Sequence, residues 1–147
     1  MIEDDGQPSM LSRVVADVIE LGEGIAHPGI DLRFQSPEIV FCEGTASAVF
    51  RILANLLTNA IVAIGSNPGG VRIAARVSER GWINIVVADT GPGLGSSTAS
   101  CSSGALPVSM GLGLTIAQSL TSRIGGTLKL EETGPAGTIF VLSFPIP

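Results

Sequence analysis

Trp82-Ile83-Asn84-Ile85-Val86-Val87-Ala88-Asp89-Thr90-Gly91-Pro92-Gly93-Leu94 decides the fold. Its first six residues are rich in β-branched side chains and nearly continuous in apolar character, the pattern of a buried strand. Asp89 follows at the strand's end, so the sheet holds the carboxylate in place. Gly91 and Gly93 let backbone approach whatever the carboxylate binds, and Pro92 between them stiffens the turn by fixing a dihedral. That geometry suits an acid accepting a hydrogen bond from a flat, amine-bearing ring with bare backbone beside it, and adenine is such a ring. Read alone, the stretch is equally a Gly- and Asp-rich hairpin turn.

Upstream, Thr45–Ile64 is the longest helix the spacing predicts. Val49, Ile52, Leu53, Leu56, Ala60, Ala63 and Ile64 form one apolar face at the 3.6 period. Asn55 and Asn59, four apart, stack on the edge of that face. Asparagine is a mediocre helix former, and two amides beside a core need partners. Their carbonyl oxygens suit a hard cation such as Mg²⁺, and they suit hydrogen bonds to a neighbouring loop equally well.

Val71–Val77 alternates as a strand and turns through Glu79-Arg80-Gly81 into the Trp82 strand. Residues 95–110 are rich in Ser, Ala and Gly, without aromatic or charged residues, and are expected to form a mobile loop. Gly111-Leu112-Gly113-Leu114 then opens a helix over Thr115–Ile124, leaving bare N–H groups at its positive end, a setting for phosphate. Gly125-Gly126 closes that helix, and Thr127–Glu131 with Thr138–Phe144 forms a terminal hairpin. At the other end, residues 1–8 are expected to be a flexible lead-in and Ser9–Glu20 a helix. Asp31–Phe34 and Glu38–Phe41 are expected as short strands about the turn Gln35-Ser36-Pro37.

The chain has 147 residues, 45% hydrophobic and 14% charged, which suits one domain with a full core. A net charge of −5 argues against a sequence-independent grip on nucleic acid. Arg51, Asn55 and Asn59 interrupt the longest apolar stretch, so no bilayer span and no membrane contact is expected. Cys42 and Cys101 lie far apart without Cys or His neighbours, which argues against zinc and for a reduced, cytoplasmic setting.

Two common nucleotide motifs fail. Gly91-Pro92-Gly93 has Ser96 where a dinucleotide fingerprint needs its third glycine, Gly111-Leu112-Gly113 has Ile116 there, and no Lys follows a phosphate-loop pattern. The ordered set that remains is Asn55 and Asn59 on a helix, strand-end Asp89 with Gly91, Gly93 and Leu94, Gly111 to Leu114 at a helix start, and Gly137-Thr138 leading a strand. Over residues 9–147 this order resembles the ATP-binding domain of bacterial sensor histidine kinases, in the wider group shared with gyrase, Hsp90 and MutL.

The resemblance implies an α/β (α+β two-layer) sandwich: a mixed sheet of about five strands, three helices packed on one face, and a mobile lid between the glycine motifs. It implies that Asp89 accepts from the adenine amino group with Thr138 helping, and that Asn59 binds Mg²⁺ with Asn55 beside it. Gly111, Leu112 and Gly113 would present N–H groups to the phosphates of ATP. Some family features are missing: there is no phenylalanine-bearing box between Leu94 and Gly111, Val62 and Ala63 stand where a basic residue is usual, and Ser109-Met110 replaces the usual Gly-Thr. ATP binding weaker than in a fully equipped relative is the expected result. His27, the only histidine, precedes Pro28 in a loop and is not the expected phosphoacceptor.

The implied function is a catalytic module that donates the γ-phosphoryl group to a histidine on a separate dimerisation domain, and through it to a response-regulator receiver. The chain is expected to be an excised or separately expressed module whose parent could be membrane-anchored. The alternatives are a serine kinase of the anti-sigma-factor kind and a non-catalytic interaction module of the same fold.

Overall fold

The structure, a computed structural model, describes residues 9–26, 28–35, 40–41, 43–65, 68–78, 80–90, 112–134 and 137–145. The described elements follow in the order β1 (Ser9–Met10), α1 (Leu11–Glu23), β2 (Ile30–Gln35), β3 (Val40–Phe41), α2 (Glu43–Ile64), β4 (Gly69–Val77), β5 (Trp82–Asp89), α3 (Leu112–Arg123), β6 (Thr127–Gly134) and β7 (Gly137–Pro145). The lead-in, His27, both cysteines and the expected lid lie outside the described residues.

Five strands form one mixed sheet in the order β2-β4-β5-β7-β6, parallel only between β2 and β4. The expected α/β sandwich is the observed one. Strand periodicity explains why it has two layers. Ile83, Ile85 and Val87 point to one face of β5, Phe140, Leu142 and Phe144 to the same face of β7, and Val71 and Ile73 to that face of β4. All are buried. The intervening Asn84, Val86 and Ala88 are only half-buried, so β5 is covered on one face and not on both, as its continuous apolar run had suggested. The helices cover the inward rows, with Val14, Val15 and Val18 of α1, Ile52, Leu53 and Leu56 of α2, and Ala117 and Leu120 of α3 joining a single core.

Two local expectations are corrected. The second of the two early strands does not fold back on the first: Val40–Phe41 pairs antiparallel with Ser9–Met10 in a separate two-stranded ribbon. Ser9 and Met10 are therefore strand, and α1 begins at Leu11 without a side-chain cap. Its apolar side anchors it, because Leu11, Val14, Val15, Val18 and Ile19 are all buried.

By length and composition α2 is apolar enough over Thr45–Ile64 to cross a membrane. Its setting here is that of a core helix, because Val49, Ile52, Leu53, Leu56, Leu57, Ala60, Ile61 and Ile64 are buried in the domain interior. Gly22 of α1 makes the packing with α2 close: a Cβ there would stand 2.5 Å from the Leu57 Cδ2 methyl.

Candidate nucleotide site

Asp89 ends the inward row Ile83-Ile85-Val87 of β5, so its Cβ leaves the sheet on the helix-covered side. Register puts Thr138 of β7 directly beside it on one flank and Val71 of β4 on the other. Thr138 is 3% exposed and Val71 2%, whereas Asp89 itself is half-buried. A carboxylate with an open side and a buried hydroxyl neighbour is placed to grip a ligand at the sheet's rim.

A side-chain-free residue on one side and a backbone pair on the other hold this strand end. A Cβ on Gly137 would fall on the Asp89 carbonyl oxygen, and Gly137 adopts φ +141, a conformation that glycine tolerates. On the other side, Gly70 N–H donates to Thr90 Oγ1 at 2.9 Å, and Thr90 N–H donates to the Gly70 carbonyl at 3.1 Å. The strand expected from Val71 begins two residues earlier, since Gly69 and Gly70 also belong to β4. The signal that could have found them is a glycine pair at a strand start, required where a neighbouring strand exits closely.

α2 brings its two asparagines to the same end of the sheet. Its last residue, Ile64, would stand 3.0 Å from a Cβ on Gly69, and Thr90 Oγ1 2.7 Å from the same Cβ, so the helix terminates over the Asp89 end of β5. Asn59 lies about 7.5 Å back along the axis at 1.5 Å per residue. Leu57 faces α1 through Gly22, and Asn59 lies about 200° around the helix from Leu57 at 100° per residue, so both asparagines project from the flank away from α1. Both are half-buried. The Asn59 Nδ2 is buried without a hydrogen-bond partner among the described residues. A buried amide of this kind costs stability unless something external partners it. The two ends of an amide exchange by a half-turn, so the same position can present the oxygen that a hard divalent cation takes. The donor set fits a metal-bound phosphate.

α3 starts at Leu112, so Leu112, Gly113 and Leu114 form its first turn, whose N–H groups have no partner within the helix. The Leu114 side chain is buried in the core, leaving its backbone to serve any ligand. The far end of α3, with Leu120, Arg123 and Ile124, lines a hollow shared with Thr45, Ser47, Ala48 and Arg51 at the beginning of α2. Gly91, Gly93, Leu94 and Gly111 lie outside the described residues. A separate hollow of about 280 Å³ at the Asp89 end is lined by Asp31, Arg33, Gly70, Val71, Arg72, Ala88, Asp89 and Thr90. Asp31, Arg33, Arg72 and Ala88 belong to the outward rows, so the hollow lies mostly behind the strands, with Val71 and Asp89 at its edge.

Comparison with known proteins places the chain in a family. The family model described as histidine kinase-, DNA gyrase B-, and HSP90-like ATPase matches residues 44–147. The C4-dicarboxylate transport sensor protein DctB of Rhizobium meliloti is 38% identical over 98 residues, covering 63% of this chain and 16% of DctB. The signal transduction histidine-protein kinase/phosphatase MprB of Mycobacterium tuberculosis is 30% identical over 180 residues, covering 93% of this chain and 35% of MprB. The chain thus spans about a sixth to a third of the length of these curated relatives. Among solved structures, the catalytic domain of histidine kinase ThkA aligns over 99% of this chain and 98% of its own, with TM-score 0.77 at 22% identity, a likeness of fold. Full-length ShkA in complex with AMPPNP aligns over 98% of this chain and 32% of its own, with TM-score 0.76 at 28% identity. The matched sequence shows that the chain belongs to the histidine kinase-, DNA gyrase B- and HSP90-like ATPase family, and the fold accords with it.

Proposed function

We propose that residues 9–147 act as one ATP-binding domain, the catalytic module of a two-component sensor histidine kinase. Asp89 accepts a hydrogen bond from the adenine amino group, and Thr138 beside it supplies a second polar contact, direct or through water. Asn59 holds Mg²⁺ with Asn55 a turn away, and the opening turn of α3 offers N–H groups to the phosphates. Bound Mg-ATP supplies the phosphoryl group and the cation that neutralises its charge. The protein's own contribution is orientation and preorganised dipoles, the main resources available for phosphoryl transfer. The acceptor in this reading is a histidine on a separate dimerisation domain, in the parent chain or in trans, and a response-regulator receiver follows it. The domain works in the cytoplasm, whether or not its parent is membrane-anchored.

The observation that carries this reading is the buried Asn59 Nδ2, without a hydrogen-bond partner among the described residues, on a helix that terminates over the strand end bearing Asp89 and Thr138. Titration calorimetry with a non-hydrolysable ATP analogue, with and without Mg²⁺, tests it, and Mg²⁺-dependent binding is the expected result. Failure to bind any adenine nucleotide at millimolar concentration would favour the non-catalytic module. The acceptor is tested by supplying a dimerisation domain and labelled ATP: acid-labile phosphate marks phosphohistidine, and acid-stable phosphate favours the serine-kinase alternative.

A further inference from the structure

We infer that Thr90 is a positioning residue for the Asp89 carboxylate, an inference that rests on the ATP-binding reading above. In an antiparallel ladder, the two residues of a hydrogen-bonded pair exchange both N–H···O=C bonds, and such pairs alternate with non-bonded ones. Val71 and Asp89 stand opposite each other, and Gly70 and Thr90 form the next rung. Thr90 keeps half of the exchange, its N–H donating to the Gly70 carbonyl at 3.1 Å. The return bond does not follow the ladder: Gly70 N–H donates to Thr90 Oγ1 at 2.9 Å. The hydroxyl stands in for Thr90's own peptide carbonyl. The last rung is closed while that carbonyl is released, so the chain can leave the sheet one residue after Asp89 with the aspartate still held in register.

The neighbourhood leaves little room for another solution. A Cβ on Gly69 would meet Thr90 Oγ1 at 2.7 Å, and a Cβ on Gly137 would stand 3.2 Å from Thr90 Cα. Asp89-Thr90 is thus bracketed by bare backbone from both adjacent strands, and the Thr90 hydroxyl ties the bracket on the β4 side. Valine has the shape of threonine without the acceptor. In Thr90→Val, Gly70 N–H either loses its partner or reclaims the Thr90 carbonyl, which prolongs the strand and turns Asp89 away from the purine.

The test compares wild type, Thr90→Val, Thr90→Ser and Asp89→Asn by calorimetric titration with ATP and with inosine triphosphate, which carries a 6-oxo group in place of the amine. Hydrogen exchange at the Gly70 amide and the thermal midpoint are measured alongside. Thr90→Val should weaken ATP binding about threefold to tenfold, the loss of one neutral hydrogen bond. Inosine triphosphate affinity should be unchanged, Gly70 exchange should quicken, and Thr90→Ser should restore both ATP affinity and protection. Equal loss for both nucleotides, or a lowered midpoint with ATP preference intact, would make Thr90 merely structural and overturn the inference. If Asp89→Asn loses ATP and Thr90→Val does not, the inference falls while the ATP reading stands. If wild type binds neither nucleotide, both fall.

Discussion

On the proposed site, Asp89→Asn separates recognition of the purine from everything else the domain does. The substitution keeps side-chain volume, and the row it belongs to is fixed by Val71 and Thr138, both almost fully buried, so the fold should be unmoved. What changes is the charge on one hydrogen bond. As proposed, the carboxylate accepts from the adenine amine as an anion with two acceptor oxygens, whereas a carboxamide offers a single neutral oxygen and, with its amine end turned inward, a donor facing a donor. A hydrogen bond to a charged group contributes about 1.5–3 kcal/mol, which at about 1.4 kcal/mol per decade predicts an ATP affinity lower by about tenfold to a hundredfold. Inosine triphosphate inverts the pattern, since its 6-oxo group accepts where adenine donates. The variant should therefore hold inosine triphosphate at least as well as wild type does, and the ATP-to-inosine ratio should fall by the whole factor. Calorimetric titration of both nucleotides in Mg²⁺, with thermal midpoints as a control for folding, reads this directly. An unchanged ratio in a variant of unchanged midpoint would refute the assignment of Asp89 to the purine.

Asn59→Ala should lower ATP affinity in Mg²⁺ to the value wild type shows in a chelator, and titration with and without metal checks it. The same variant deletes an amide whose buried nitrogen has no partner among the described residues, so without nucleotide its unfolding free energy should hold or rise by up to about 1 kcal/mol, read by urea unfolding. Gly137→Ala places a methyl on the Asp89 carbonyl oxygen at φ +141 and should destabilise by about 2–4 kcal/mol, read as a shifted urea midpoint. Phe144→Ala empties a fully buried site near the end of β7, opposite Ile83, and should cost about 3–5 kcal/mol in the same unfolding assay.

Periodicity carried most of the fold. The 3.6 repeat of Val49, Ile52, Leu53 and Leu56 and the period-2 rows of β4 and β7 mark which faces are buried, and the structure packs those faces together. What periodicity could not specify was pairing. Val40–Phe41 is too short for its pattern to choose a partner, and the preceding Gln35-Ser36-Pro37 invited a hairpin; its pairing with Ser9–Met10 is a tertiary choice. The same limit hid Gly69-Gly70. In sequence they precede the alternating run that starts at Val71, and only the fold shows Gly69 making room for the Thr90 hydroxyl and Gly70 N–H donating to it. Asp89 and Thr138 were legible one at a time, as a strand-end acid and a strand-start hydroxyl. Their adjacency is a fact of the β5–β7 register.

Where the site lies follows from where the covering layer stops. An ionised carboxylate cannot sit in the middle of an inward row without a strong partner, because desolvation would cost several kcal/mol. The row Ile83-Ile85-Val87 is apolar for as long as helices lie over it, and it changes to Asp89 where α2 terminates at Ile64. At that rim a charge keeps an open side, and the sheet still fixes its position. The helix meets the same constraint from above. One flank of α2 packs against α1 through Leu57 and Gly22, its underside fills the core, and the flank away from α1 is where half-buried amides can be carried. Asn55 and Asn59 occupy that flank, and the unpartnered Asn59 nitrogen shows that packing within the described domain does not satisfy it. A polar ligand bound at the rim, as proposed above, would give the Asn59 amide the partner that packing among the described residues does not supply.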